Sequence, residues 1–237
     1  MYYMKKNLAI VLAGGTGSRT GESLPKQFLL LREKPILLHT LEKFELHGDI
    51  DDIILVTHGN YIKQTKQILE GKGFTKLVGI MEGGEARQDS SRMGVIAADP
   101  NEYENILIHD GARPFLSKKI IDEVLVALKD HSAVTVAVET TDTILVLDEK
   151  NYIGDVPDRK TLRRVQTPQG FKLQLIREAH QKAIQENIFN SSDDCLLVSR
   201  MKLAPVYVVD GSPLNIKITY PMDLMLADKI LDIFNYN

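Results

Sequence analysis

Short runs of unbroken apolar residues alternate along this chain with longer segments in which apolar positions recur three or four apart. Residues 8–12 (LAIVL), 52–57 (DIILVT), 105–109 (NILIH) and 134–138 (VTVAV) are runs of the first kind. Continuous apolarity over so short a length predicts strands buried on both faces, as in a parallel sheet. Segments of the second kind predict helices near 35–47, 60–71, 87–98 and 117–130, with a last one over 221–234. Punctuation residues agree: Asn60 precedes and Gly71 and Gly73 follow the second helix, Ser117 opens the fourth, and Pro221 suits the first turn of the last. Alternation of this kind implies an α/β, Rossmann-like fold with a mainly parallel open sheet and helices on both faces.

Residues 140–165 break the rhythm. Segments 143–147 and 152–156 read as two short extended runs joined by a turn at Asp148-Glu149-Lys150-Asn151. They are too short and too polar to build a core, and an isolated hairpin is marginal in water. The expectation is a β-arm over about 140–160 that projects and packs on a second copy, making a homodimer. With no repeat, low-complexity tract or long linker, 1–237 reads as a single domain carrying that arm.

Composition narrows the function classes. Hydrophobic residues make up 43% and charged residues 26%, with a net charge of −3, so a sizeable core is available and a general nucleic-acid or membrane-surface binder is disfavoured. The single cysteine, Cys195, excludes an intrachain disulfide framework and a multi-cysteine zinc site. Lys5 and Lys6 ahead of LAIVLA imitate a secretory signal, but the apolar run is too short and leads into glycines. The protein is expected to be soluble and cytoplasmic, without nucleic-acid or membrane partners.

Candidate chemistry begins where the first strand ends. Ala13-Gly14-Gly15-Thr16-Gly17-Ser18-Arg19 is a glycine-rich turn, and Pro25-Lys26-Gln27 follows it. Glycines let backbone N–H groups approach a polyanion, Arg19 offers a planar fork for phosphate oxygens, and Lys26 a point charge. Thr20 stands where a dinucleotide fingerprint requires its third glycine, and no GK[ST] follows for a P-loop. Gly83-Gly84-Glu85-Ala86-Arg87-Gln88-Asp89-Ser90 places paired glycines before a helix, a weaker signal for an anion or base edge. His109-Asp110-Gly111-Ala112-Arg113-Pro114 follows the NILI strand, where open α/β sheets bind ligands; an Asp there can hold Mg²⁺ and an Arg a phosphate. His109 itself reads as a structural histidine. Arg159, Arg163 and Arg164 crowd the segment beyond the arm, and Asn215-Ile216-Lys217-Ile218-Thr219 alternates as a strand would.

Together the motifs AGGxGxR…PKQ, GGEARQDS, HDGARPF, R…QTPQGF, SDD and NIKIT closely resemble, in order and approximate spacing, the 2-C-methyl-D-erythritol 4-phosphate cytidylyltransferases and their relatives, the ribitol-5-phosphate cytidylyltransferases. The resemblance spans nearly the whole chain. It implies that Arg19 and Lys26 stabilise the triphosphate of the substrate CTP, while Leu12, Ala13, Gly14, Gly15, Thr16, Gly17, Gly84, Glu85, Ser90, Asp110 and Gly111 bind the nucleotide. It further implies that Asp110 and Arg113 sit between the two substrates and that Thr143, Thr167 and Ser192 line the polyol phosphate pocket. Arg159 would reach across the dimer to the partner's substrate, and Lys217 would hold that substrate's phosphate; Mg²⁺ or another divalent cation would accompany CTP.

The expected reaction is direct attack of the polyol phosphate on the α-phosphorus of CTP, with pyrophosphate leaving and no covalent enzyme intermediate. Two branches of acceptor remain open. LAGG and VETTDTI look more like the ribitol-phosphate enzymes, and Ser192-Asp193-Asp194-Cys195 replaces a more usual TDDA or TDEA. HDGARPF and GGEARQDS look more like the methylerythritol branch, which is the expected one, with CDP-ribitol synthesis as the alternative. A nucleotidyltransferase using another base, an NAD-dependent dehydrogenase and a non-catalytic nucleotide-binding paralogue are the remaining rivals.

Overall fold

The computed structural model describes residues 5–15 and 25–235. Its strands are β1 (Lys6–Ala13), β2 (Leu30–Leu31), β3 (Lys34–Pro35), β4 (Asp52–Thr57), β5 (Leu77–Glu82), β6 (Tyr103–Asp110), β7 (Ala133–Glu139), β8 (Val146–Leu147), β9 (Ile153–Asp155), β10 (Arg163–Lys172) and β11 (Tyr207–Asp210). Its helices are α1 (Ile36–Glu45), α2 (Ile62–Leu69), α3 (Arg87–Ala97), α4 (Lys118–Ala127), α5 (Leu173–Gln185), α6 (Asp194–Arg200) and α7 (Pro221–Asn235).

A seven-stranded sheet runs in the order β11-β7-β10-β6-β1-β4-β5. β1 pairs in parallel with β4 and β6, β4 with β5, and β7 with β11. The fold is thus the mainly parallel α/β arrangement expected. Only β10 opposes its neighbours, pairing antiparallel with β6 and β7. The chain leaves β7 into the arm and returns directly alongside, a connection that needs no crossover helix.

Side-chain alternation along β1 builds both halves of the core. Leu8, Ile10 and Leu12 face a cluster completed by Val95 of α3, Ile176 and Ala179 of α5, and Leu197 and Val198 of α6. Ala9, Val11 and Ala13 face the opposite cluster, with Leu37, Leu41 and Phe44 of α1 and Ile120, Ile121 and Val124 of α4. A smaller cluster of Leu31, Ile36, Phe115, Ile218, Ala227 and Ile230 ties α7 to the β2–β3 hairpin and to the segment carrying Lys217.

Local details correct several expectations. α2 starts at Ile62 after a 3₁₀ turn over Gly59–Tyr61, and the cap there is the His58 ring, which accepts from the Asn60 amide at 3.2 Å. Gly71 and Gly73 do stop the helix, with φ of 69° and 75°, and the Ser117 hydroxyl accepts from Ile120 N at 3.4 Å. Residues 215–219 belong to no strand, and their polar groups bond to neighbouring turns and not to a ladder. The sequence pattern does not predict strands β2, β3, β5, β10 and β11 or helices α5 and α6. β10 tolerates Pro168 because the proline falls in a register shift between Gln166 and Gln169, where no ladder donor is required.

The arm is a two-stranded β8–β9 hairpin apart from the main sheet, shorter than the runs 143–147 and 152–156 suggested. Asp148 Oδ1 accepts from the amides of Lys150 and Tyr152, and Asn151 takes the left-handed conformation that the turn requires, at φ 65°. Ile144, Leu145, Val146, Leu147, Tyr152, Ile153 and Val156 are all exposed along it.

Candidate active site

The carboxyl ends of β1, β5 and β6 converge at one edge of the sheet. There β1 gives way to Gly14 and Gly15, and Gln27 locks the turn, its buried Nε2 donating to the carbonyls of Ala13 (2.7 Å) and Gly15 (3.0 Å). A Cβ on Gly14 would lie 3.0 Å from Ser90 Oγ, and one on Gly83 only 2.5 Å away. A side chain at Gly83 would clash and one at Gly14 would crowd the same hydroxyl, so the glycines let the two loops close on Ser90, whose hydroxyl donates to Gly84 O at 3.4 Å. Gly111 N donates to Leu12 O at 2.8 Å, which joins the β6 turn to the same place. Of the expected nucleotide cradle, Leu12, Ala13, Gly14, Gly15, Gly84, Ser90, Asp110 and Gly111 thus meet, with Glu85 exposed at the rim. Lys26 opens a 3₁₀ turn over Lys26–Phe28. Thr16, Gly17 and Arg19 lie outside the described residues.

Asp110, the last residue of β6, is the centre. Its Oδ2 accepts from Lys217 Nζ (2.8 Å) and Arg113 Nε (3.4 Å), and its Oδ1 from Arg87 Nε (3.3 Å). Burial pushes the carboxyl up, but Lys217, Arg87 and Arg113 outweigh it and hold the group well below the usual carboxylate range. Asp110 N donates to Thr167 Oγ1 at 3.1 Å, so Thr167 fixes the backbone that carries the carboxylate.

Lys217 is delivered by a stitched segment. Asn215, fully buried, donates to Thr167 O at 2.9 Å and to Gln166 Oε1 at 3.3 Å, while Arg113 Nη1 donates to Asn215 O at 2.9 Å. Ile218 N donates to Ala112 O at 2.9 Å, so both sides of Lys217 are fixed. Gln166 also bonds both backbone groups of Ser212. Gln169 Oε1 accepts from the amides of Asp194 and Cys195 and orients the start of α6.

Three expected substrate groups are exposed on the surface of the single chain. Thr143 lies on the exposed segment before the arm, and Ser192 is exposed ahead of α6. Arg159 is exposed too, its Nη1 donating to Thr141 O at 3.2 Å. Conversely, Gln27, Arg87, Gln166, Gln169, Asp194 and Asn215 organise the site, a role the sequence reading does not give them. Their signal was present, since each lies inside one of the quoted motifs, but spacing alone does not show which carbonyl or carboxylate they meet.

Asp110 also departs from its expected role as a metal ligand. Both its oxygens are engaged by cations, and the neighbouring carboxylate, Asp194, is bound to Arg87 and Ser91. This donor set does not fit a protein-held divalent ion. Among the described residues one group of three candidate ligands occurs, His47, Asp49 and Asp122. The histidine's two nitrogens are engaged within it: His47 Nδ1 accepts from Asp49 N (3.2 Å), which leaves Nε2–H to donate to Asp122 (3.1 Å).

His109 is structural, as expected. It is fully buried, with Nδ1 3.0 Å from Thr167 Oγ1, Nε2 3.1 Å from Arg113 O, and the ring edge-on to Phe44. Burial lowers its pKa from 6.5 to about 4. Between those values the unfolded chain binds the extra proton, so this contribution is complete above pH 6.5 and is lost as pH falls toward 4. The loss is about 3 kcal/mol. Urea unfolding across that window should show His109→Gln lacking this slope; parallel pH profiles for the two proteins would contradict the assignment.

No helix among the described residues is long and apolar enough to cross a membrane. The sequence profile of 2-C-methyl-D-erythritol 4-phosphate cytidylyltransferase (IspD) matches residues 7–233. The enzyme of that name from Syntrophus aciditrophicus is 40% identical over 227 residues, which is 95% of this chain and 96% of the relative. Its Clostridium botulinum (strain Langeland) counterpart is 39% identical over 229 residues, covering 97% of this chain and 99% of its own. The crystal structure of 4-diphosphocytidyl-2C-methyl-D-erythritol synthase from Anaerococcus prevotii aligns with a TM-score of 0.85 at 31% identity, over 96% of each chain. A match running from the first strand into the last helix, on the fold of a solved relative, makes this chain a member of the 2-C-methyl-D-erythritol 4-phosphate cytidylyltransferase family.

Proposed function

We propose that the protein transfers the cytidylyl group of CTP to 2-C-methyl-D-erythritol 4-phosphate, giving the CDP-polyol and pyrophosphate. The observation that carries this reading is the convergence of Lys217, Arg113 and Arg87 on Asp110, immediately beside the Gly14–Ser90 turn. The relatives above are named for methylerythritol phosphate, which favours that acceptor over ribitol phosphate.

A phosphate monoester is largely dianionic at neutral pH, with a second pKa near ~6, so its oxygen attacks without a general base. His109, buried and with both nitrogens engaged, supplies none. Cys195 supplies no nucleophile, since burial pushes its thiol well up. The remaining obstacle is repulsion between the dianion and the triphosphate, which positioned cations offset. Lys217 would hold the acceptor phosphate while Arg19 and Lys26 take the charge that builds on the triphosphate. The phosphate oxygen bonds to the α-phosphorus, the bond to the β-phosphate bridging oxygen breaks, and pyrophosphate departs with that electron pair. A divalent cation, Mg²⁺ by expectation, would accompany CTP and offset part of its triphosphate charge.

The chain reads as a single nucleotidyltransferase domain, 1–237, with a dimerisation arm. The apolar row exposed from Ile144 to Val156 supports burial against a second copy, which would bring Arg159 and Thr143 to the partner's acceptor pocket. A soluble, cytoplasmic setting agrees with the charge and the short apolar runs. Mixing Arg159→Ala and Lys217→Ala proteins tests the trans arrangement. Each mixed dimer would hold one intact site, restoring about a quarter of wild-type activity after random exchange; no restoration in demonstrably mixed dimers would refute it.

The reaction itself is tested by pyrophosphate release with each of the four common NTPs, alongside quenched-flow trapping with radiolabelled CTP. Turnover confined to CTP and no label on protein are expected. A nucleotidyl-enzyme, or equal use of another NTP, would overturn the reading.

A further inference from the structure

Arg87 opens α3 with no side-chain cap of its own, and its guanidinium spans two carboxylates from distant parts of the chain. Nε reaches Asp110 Oδ1 at 3.3 Å, and Nη1 reaches Asp194 Oδ2 at 2.8 Å. Asp194 is itself fixed from behind. It is 1% exposed, accepts from the Ser91 hydroxyl, lies 3.8 Å from His180 Nε2, and donates its amide to Gln169 at 2.9 Å. Nη2 of Arg87 is buried with no hydrogen-bond partner. Burial works against the Arg87 charge, but Asp194 and Asp110 outweigh it and keep the guanidinium protonated.

Stability alone is a poor reason for such an arrangement. Apolar groups of similar volume usually serve as well or better than a buried ion network. The arrangement instead meets a need of the transfer step. In the resting site Lys217 Nζ rests 2.8 Å from Asp110 Oδ2. To hold an incoming phosphate, the lysine must divide its attraction between that phosphate and Asp110. A carboxylate already shared with a fixed guanidinium holds the lysine less tightly, and one held at Oδ1 cannot swing to follow it.

We propose that Arg87, anchored by Asp194, is a positioning residue that holds Asp110 so that Lys217 can turn to the acceptor's phosphate. This rests on the cytidylyltransferase reading above. Simple attraction and positioning make opposite predictions for one variant. Arg87, Arg113 and Lys217 against Asp110 and Asp194 leave the cluster at +3 − 2 = +1. Asp194→Asn raises it to +2, so attraction alone would draw the phosphate more strongly. Loss of the anchor would instead slow transfer.

The test is steady-state kinetics of wild type, Arg87→Lys and Asp194→Asn, with both substitutions repeated in a Lys217→Ala background. Lysine keeps the charge but cannot span both carboxylates. Each single variant is expected to lose about tenfold to 10²-fold in kcat, with KM for CTP within about twofold. In the Lys217→Ala background the same substitutions should cost little more, because the interaction they act through is gone. Full additivity in that background, or a folded Asp194→Asn with unchanged or higher kcat, would overturn the proposal. If Asp194→Asn fails to fold, Ser91→Ala takes its place, with a several-fold loss in kcat expected and no loss contradicting. An active wild type with additive variants defeats this inference alone; a wild type inactive with CTP and acceptor defeats the functional reading and this inference with it.

Discussion

Lys217→Ala is expected to lower kcat by about 10²–10³ while the protein stays folded. The lysine ends in a partly exposed position, with a side-chain exposure of 33%, and the backbone on either side of it is held by Asn215 and Ile218, not by its ammonium group. Its removal leaves Asp110 with two guanidinium partners, Arg87 and Arg113, so the carboxylate remains compensated. What disappears is the partly exposed cation at the junction, and with it the group that brings a dianion to a polyanion. The loss should fall on kcat and on the KM for the acceptor, with CTP binding little changed. Isothermal titration with CTP and initial rates with both substrates separate these effects. A variant retaining more than half of the wild-type rate would remove Lys217 from the mechanism.

Asp110→Ala is expected to be the most destabilising single change at the site, by about 3–5 kcal/mol, because it leaves buried cations without their carboxylate. Arg113 and Arg87 have side-chain exposures of 12% and 23%, too little for water to replace the missing partner in full. Activity should vanish as well, since Lys217 loses the group that places it. Asp110→Asn keeps the shape and removes the charge, so it should lose less stability but still most activity. The pH dependence has a defined sign. A carboxyl held well below its ordinary value contributes fully above about pH 4, and that contribution fades as pH falls toward the folded value. The stability gap between wild type and Asp110→Asn should therefore be flat from pH 5 to 8 and close only in stronger acid. Urea unfolding with matched m-values checks both points; a gap that varies across neutral pH would contradict the geometry.

How far the sequence foretold this structure depends on contrast. The runs at 8–12, 52–57, 105–109 and 134–138 became β1, β4, β6 and β7 because burial on both faces leaves an unbroken apolar signature. Edge strands carry no such signature. β5 (LVGIME) is only half-buried and contains Gly79, and β11 (YVVD) is short and largely exposed. In α5 the buried positions include Ala179, His180 and Ala183, a stripe of low apolar contrast, and α6 is only seven residues long.

The site follows the same logic. Asp110 and Arg113 were legible because they punctuate the end of a buried strand, where α/β ligands collect. Gly14 and Gly84 were legible as glycines in a phosphate-like turn, and the structure adds that both loops close on Ser90. Arg87 and Asp194 lie 107 residues apart, and nothing in their spacing shows that they pair. Lys217 looked like one face of a strand, yet its place is fixed by Asn215 reaching the QTPQ segment. Thr143, Ser192 and Arg159 come from family resemblance, and in the single chain all three side chains are exposed.

The most direct test of the central claim is CTP turnover with 2-C-methyl-D-erythritol 4-phosphate and ribitol 5-phosphate side by side, followed by pyrophosphate release and ³¹P NMR of the product. The account predicts stoichiometric pyrophosphate and CDP-methylerythritol from the first acceptor, with a kcat/KM far above that for ribitol 5-phosphate. Faster turnover of ribitol 5-phosphate, or no turnover of methylerythritol phosphate by a folded protein, would contradict it.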